Sequence, residues 1–248
     1  FAYGYSGSIV SMSNLISTVG VVGSDVTGVG TARYDLAACE FGGDKGIFAY
    51  GSAGAMSNLV SNSGVIATDV SGVGTARESP AACSYGGDKG IFGYGAGPVS
   101  MTNLVNNSGV VGSDVTGVGT ARRLLGACEY DDDKAIFAYG DTGSVSSLSN
   151  LVSNAGVVAT DVTGVGTARK QLAACTYGYD KGIFAYGSTG SNVSMSNLVS
   201  TSGVIASDVT GVGSARHELA ATQYGGDKAI FGYGYTSGRV SLSNLVSN

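Results

Sequence analysis

The sequence predicts an all-β fold, a β-propeller of four-stranded antiparallel blades, and three observations predict it. The hexapeptide GVG(T/S)AR returns five times, placing arginines at Arg33, Arg77, Arg122, Arg169 and Arg216, so that successive repeats are 44, 45, 47 and 47 residues long. Each repeat holds four short runs of β-branched, aromatic or small residues bounded by Gly, Ser, Asn or Asp, with no sustained helical period. A unit of about 45 residues with four strands is the sequence signature of a propeller blade, and such a unit buries its apolar face only by stacking on neighbours. The composition agrees. Forty-two glycines and only 12% charged residues suit short strands joined by tight turns.

The first strand of each blade is the small-residue run after the arginine, such as residues 36–39 (LAAC). Its size suits the crowded inner position near the axis. The second, residues 47–51 in the first full copy (IFAYG), is apolar on both faces and is expected between blades, where both faces are covered. The third is the run at 193–200 (VSMSNLVS), whose Leu and Val should join the Ile and Phe of the second strand in the core. Each such side chain contributes roughly 1.5–3 kcal/mol by burial. The fourth is the GVVGSDV run at 109–115. The glycines of GVG(T/S)AR then turn the chain from one blade's outer strand to the next blade's inner one, with the arginine anchoring the junction.

Spacing locates the adaptable part. From each repeat arginine to the tyrosine of F(A/G)YG is 17 residues in all five copies, and from the asparagine of SNL to the next arginine is 19 in all five. Only the tyrosine-to-asparagine distance varies, through 11, 8, 9, 11, 11 and 11. All length variation therefore falls in the hairpin between the second and third strands. Strands in register do not tolerate such slips, whereas a solvated loop does. Residues 1–18 and 231–248 are the same piece of the repeat, giving six such hairpins but five arginine segments. A single domain over 1–248 with six blades is favoured over five or seven, with unpaired blade edges that invite association and a sequence that reads as part of a longer parent.

Charge and motif content narrow the function. A net charge of −5 argues against a groove that tracks nucleic-acid phosphates, and no apolar run is long enough to insert in a membrane. Cys39, Cys83, Cys128 and Cys175 occupy one repeat position, taken by Thr222 in the fifth copy, and are expected as free, buried thiols with no metal-binding spacing. GVGTAR lacks the GK(S/T) ending of a phosphate loop. Asp131–Asp133 reads as a solvated turn, and His217, the single histidine, as an exposed surface residue. With near-identical copies and no unique acid–base or nucleophile set, no enzyme, catalytic residue, cofactor or metal is expected.

The polar set common to the copies is Arg33, Asp25, Asn14 and the Asp44–Lys45 pair with their equivalents. Two roles fit it. Arg33, Arg77, Arg122, Arg169 and Arg216, with Tyr50, Tyr94, Tyr139, Tyr186 and Tyr233 as stacking faces, form candidate ligand sites of a multivalent lectin, where avidity multiplies weak single-site binding. Alternatively, Arg and Asp tie neighbouring blades, Asn caps a turn, and Asp–Lys lies in a solvated hairpin.

An arginine shortly before the first strand, an Ile-aromatic-x-Tyr-Gly second strand and a variable loop before the third resemble kelch-type repeats. Here FAYG or FGYG replaces the usual Gly-Gly pair, and the fourth-strand Trp is missing because the chain has none. The pattern TAR…LAAC…DKGIFGYG is also similar to Gly-rich repeat arrays of phage and environmental virion or tail-associated proteins. The resemblance implies a propeller with a structural or host-attachment role on a virion or extracellular surface, and it transfers no catalytic residue. The expected function is a non-enzymatic structural or adhesion module. Its partners would be glycans or other virion or surface proteins. The alternatives are a multivalent lectin with one site per blade, and an engineered or recently amplified repeat with no evolved ligand.

Overall fold

A computed structural model describes residues 1–248 as seventeen strands without a helix. The chain starts with a hairpin of β1 (Ala2–Tyr5) and β2 (Ile9–Ser13). Five three-stranded antiparallel sheets follow, in chain order. They are β3 (Ala37–Phe41), β4 (Lys45–Ala49) and β5 (Ser57–Val60); β6 (Ala81–Tyr85), β7 (Lys89–Gly95) and β8 (Val99–Val105); and β9 (Gly126–Tyr130), β10 (Lys134–Ala138) and β11 (Ser149–Val152). The last two are β12 (Ala173–Tyr177), β13 (Lys181–Ala185) and β14 (Ser196–Val199), then β15 (Ala220–Tyr224), β16 (Lys228–Gly232) and β17 (Ser243–Val246). The expected second strand is the central one of each sheet. Isoleucine faces cysteine or its threonine substitute across the first ladder, as in Ile136↔Cys128 and Ile230↔Thr222.

The expected four-stranded blade is corrected to three strands plus a bridged edge. The fourth run touches the third strand at only two points, Val105↔Val111 and Thr102↔Val115 in the second three-stranded sheet. Four steps along the outer run face three along β8, so one extra residue breaks the ladder as a bulge does. The intervening Asp114 carboxylate accepts from Asn103 Nδ2 at 2.9 Å rather than standing free of the sheet. A second correction concerns the third strand. Its leucines are half-buried or exposed, Leu198 by 37%, while the preceding asparagines Asn58, Asn103, Asn150 and Asn197 are fully buried. Alternation along a strand puts neighbours on opposite faces, and the inward face here belongs to Asn.

There is no single core. Each apolar cluster spans two adjacent sheets: Ile91 and Tyr94 of one unit with Phe137 and Ala135 of the next, or Ile136 and Tyr139 with Phe184 and Val199. The first strands stand side by side, β3 against β6, β6 against β9, β9 against β12 and β12 against β15. Backbone bonds run across them: Ser79 N–H donates to the Asp35 carbonyl at 2.8 Å, Leu124 to Ser79, Gln171 to Leu124, and Glu218 to Gln171. A second series joins the hairpin turns, from Gly42 to Asp88, Gly86 to Asp133, Asp131 to Asp180 and Gly178 to Asp227.

The succession of contacts returns to its start. Edge-to-face or tilted rings link Tyr3 to Phe48, Tyr50 to Phe92, Tyr94 to Phe137, Tyr139 to Phe184 and Tyr186 to Phe231, and Tyr233 then meets Phe1 at 5.3 Å. Arg239 Nε also donates to the Tyr5 carbonyl at 2.6 Å. Six hairpins thus follow one another with five first strands between them. The two first strands beside the seam are correspondingly less covered: Cys39 is half-buried and Ala220 exposed, where Cys83, Cys128, Cys175, Ala81 and Ala173 are buried.

Candidate functional site

Each central strand ends at a tyrosine in the left-handed backbone region, with φ of 62° to 66° at Tyr3, Tyr50, Tyr94, Tyr139, Tyr186 and Tyr233. That conformation swings the ring out of its own sheet towards the next one. The following glycine (φ +107° at Gly140) has its N–H bonded to the next repeat arginine's carbonyl, as in Gly140 to Arg169 at 2.9 Å. A Cβ there would meet the Arg123 carbonyl at 2.8 Å and the Leu125 Cβ at 2.9 Å, so glycine is required.

Onto five of these six rings, all but Tyr233, the next arginine lays its guanidinium. Arg33 lies over Tyr3, Arg77 over Tyr50, Arg122 over Tyr94, Arg169 over Tyr139 and Arg216 over Tyr186, at 4.1 to 4.3 Å from the ring centre. Its other face is spent on its own unit. Arg33, Arg77 and Arg122 donate Nη2 to Asn58, Asn103 and Asn150 at 2.6 to 2.8 Å, and Arg77, Arg169 and Arg216 donate Nε to the Tyr94, Tyr186 and Tyr233 carbonyls. The Asn amide in turn donates to an aspartate, Asn58 to Asp69 at 2.8 Å, and that carboxylate accepts from the Thr31 hydroxyl at 2.6 Å and its N–H. Tyr3, under Arg33, closes the set through its hydroxyl on the Val29 carbonyl at 3.0 Å. In the fourth three-stranded sheet Asn197 Oδ1 is buried without a partner.

Protonation follows the geometry. The Thr31 bonds, then those of Asn58, hold Asp69 below the usual carboxylate range, and Asn103 and Thr75 do the same for Asp114. Burial lowers the Arg122 and Arg169 guanidiniums and pushes the Tyr94 phenol up to about 12. Arginine still stays charged at any ordinary pH, so each of these units carries a buried cation over a tyrosine ring, joined by an asparagine amide at Arg33, Arg77 and Arg122 and by a nearby carboxylate at all but Arg216.

All five arginines and the tyrosines Tyr50, Tyr94, Tyr139 and Tyr186 are therefore inside the joints between units, the arginines with 0 to 5% exposure; Tyr233 alone is half-buried. What the sequence reading left out was the Thr or Ser two residues before each arginine, and the pairing of the core Phe of FxY with the preceding unit's tyrosine. Both repeat with the motif, and their constant offsets were the available signal.

The variable hairpins come together elsewhere, along one rim. Lys170 Nζ reaches Asp141 at 2.6 Å, Asn192 Nδ2 donates to the Tyr235 and Thr236 carbonyls, and Arg239 lies 4.3 Å over the exposed Tyr5 ring, with Tyr34 edge-on to it. His217 is corrected from exposed to half-buried: its Nδ1 is 2.7 Å from Asn192 Oδ1 and its ring leans on Tyr235. The four cysteines are unpaired, and Asp131 and Asp132 form a turn at positive φ. Comparison of the sequence with protein-family models and with curated proteins returns no match.

Proposed function

We propose that this chain is a six-bladed, propeller-like ring that works as a non-enzymatic structural or adhesion module, recognising partners through its rim of variable hairpins. The observation that carries this is the division of labour among its residues. The repeated Arg, Tyr, Asn, Asp and Thr side chains are largely consumed in equivalent joints between units, while all length variation lies on the rim, where loops of adjacent units touch. Buried, mutually bonded polar groups of this kind hold parts in register. The ring itself is supported by the six aromatic pairs, the last of which joins Tyr233 to Phe1. A virion or other extracellular surface, as the kelch-like and phage-like resemblance implies, is the setting in which such a scaffold would act.

A lectin differs from a scaffold in a measurable way. Glycan-array screening followed by calorimetry on the intact chain should give no set of five or six equal sites, because the repeated Arg and Tyr faces are buried. Binding that maps to the hairpin at 141–147, and is lost when that hairpin is replaced by a Gly-Ser turn, supports the adhesion reading. Saturable binding at several equal sites, insensitive to rim changes, would overturn it in favour of the lectin.

A further inference from the structure

We infer that the rim joint between the third and fourth three-stranded sheets, where Arg123 and Lys170 flank Asp141, binds one anionic saccharide, carboxylated or sulfated. The inference deepens the reading of the rim as the recognition surface and rests on it. The repeat supplies an internal control. What every copy carries is accounted for by the joints and turns, and what one copy carries alone is not.

The cations show this first. The chain has 13 lysines and arginines. Five are the repeat arginines, buried in the joints, and five are the lysines of the DK turns, Lys45, Lys89, Lys134, Lys181 and Lys228, each beside an aspartate of its own turn. Only Arg123, Lys170 and Arg239 remain. Arg123 and Lys170 directly follow repeat arginines, where the other copies have Tyr34, Glu78 and His217. Two successive units therefore bring a cation of their own to the rim. Asp141 is as singular, since its position after the FxYG glycine holds Tyr5, Ser52, Ala96, Ser188 and Tyr235 elsewhere. Three departures from the repeat thus meet at one joint.

Geometry then orders the three. Arg123 and Asp141 exchange backbone bonds at 3.1 and 2.8 Å, which root both side chains at the base of the hairpin. The Asp141 carboxylate is 4% exposed and accepts from the Gly143 N–H at 2.8 Å and from Lys170 Nζ at 2.6 Å, so it lies beneath the cations. The Arg123 guanidinium is 45% exposed and stops 4.0 Å short of that carboxylate, with no acceptor on its side-chain N–H groups. Lys170 has two ammonium donors left. One carboxylate against two cations leaves a single positive charge facing solvent, on a chain whose net charge is −5. A planar fork of free donors beside an ammonium matches the oxygens of a carboxylate or a sulfate.

The surroundings favour a sugar over a peptide. Thr142, Gly143 and Ser144 are the exposed tip of the hairpin, while Val145 is half-buried and Ser146 buried. The hairpin thus exposes no aromatic or aliphatic side chain of the kind that anchors a protein partner. Hydroxyls and backbone beside a free fork suit a hydrated, ionised sugar, whose anion takes the fork while its own hydroxyls meet the loop. Glu78 and His217 hold the corresponding positions on either side, which confines the cationic stretch to this joint and gives one site per chain.

The test is calorimetric titration of the intact chain at low salt with three tetrasaccharides: an oligogalacturonate, a sulfated galactan fragment and a neutral galactan fragment. Saturable one-to-one binding of at least one charged sugar is expected, and which of them binds identifies the anion. The neutral sugar should not bind. Arg123→Gln should weaken binding by about tenfold or more, and Arg123→Lys, which keeps the charge without the fork, by less. Arg239→Gln removes a rim cation outside this joint and should leave binding unchanged. No saturation by about 1 mM, equal losses for R123Q and R239Q, or a tetraglutamate binding as tightly as the sugars would overturn the inference. The rim reading fails differently. Several equal sites per chain, indifferent to these substitutions, would sink both, whereas a single site lost with another hairpin would sink this inference alone.

Discussion

Tyrosine is a costly residue to place at positive φ, by about 1–2 kcal/mol each, and this chain does so six times with φ of 62° to 66°. The strain persists because five of the rings are fixed on three sides: by the guanidinium above, by the next Phe ring, and by the hydroxyl on a valine carbonyl; Tyr233 keeps only the ring contact, to Phe1. Arg122 is the other half of that joint. Arg122→Lys keeps the charge but loses the flat stack on Tyr94 and the Nη2 bond to Asn150, and should destabilise by about 2–3 kcal/mol. Tyr94→Phe, which removes only the bond to the Val118 carbonyl, should cost about 1 kcal/mol. Urea unfolding of the two variants checks the order; equal midpoints would mean that the stack contributes nothing. A second residue-scale prediction concerns Glu129, whose carboxyl is pushed up to about 7 mainly by burial and is held by the Ser84 hydroxyl at 2.6 Å. Its folded value lies above the unfolded one, so its contribution is complete below about 4.5 and is lost as pH rises through 7. Glu129→Gln should therefore raise the melting temperature at pH 8 relative to the parent and do little or harm at pH 4. A gain of the same size at both pH values would refute this. The sequence displayed the Arg, Tyr, Asn and Asp of the joint by their constant spacing. It left open whether they faced inward or outward, because spacing along a strand fixes a common face but not which face is covered.

At the scale of elements, the invariant 17- and 19-residue spacings correspond to stretches with partners at both ends. The 17 residues from Arg122 to Tyr139 run through β9 and β10, and Arg122 and Gly140 are then both bonded to neighbouring units. The hairpin after Tyr139 is bonded chiefly within itself, by Asp141 to Val145 and Ser146 to Gly140, and to Arg123 and Lys170 at its base. Two glycines inserted after Gly143 should thus cost under about 1 kcal/mol, the loop-closure penalty for so small an extension. The same two inserted after Gln171 shift the LAAC strand and should cost several times more, or prevent folding. Comparing the two unfolding midpoints decides it, and equal losses would contradict the assignment of a single adaptable loop. Three of the four predicted runs were legible as strands because their residues alternate between fixed neighbours. The fourth was not, since the extra residue before Val115 breaks the ladder without changing the composition that marked it as a strand.

At the scale of the molecule, stability is a sum over joints, each made from two neighbouring units, as in repeat proteins generally. Five joints carry the full set of an aromatic pair, an arginine stack and an arginine-to-glycine backbone bond. The sixth keeps the Tyr233–Phe1 pair and the Arg239 bond to Tyr5 but has no arginine stack and no inner strand beside β15 and β3. It should be the weakest, and opening should begin there. Hydrogen exchange is expected to be fastest in 1–18 and 218–226 and slowest in β6, β7, β9, β10, β12 and β13, whose units have complete joints and inner strands on both sides. Removing the ring at each kind of joint sharpens the contrast. Phe137→Ala empties a fully buried site and should cost about 3–5 kcal/mol of global stability. Phe1→Ala, at a half-buried site, should cost less globally, while raising exchange selectively along the first hairpin and β15. Uniform protection across all six sheets, or a Phe1→Ala effect spread evenly over the chain, would show that the ring has no preferred point of opening.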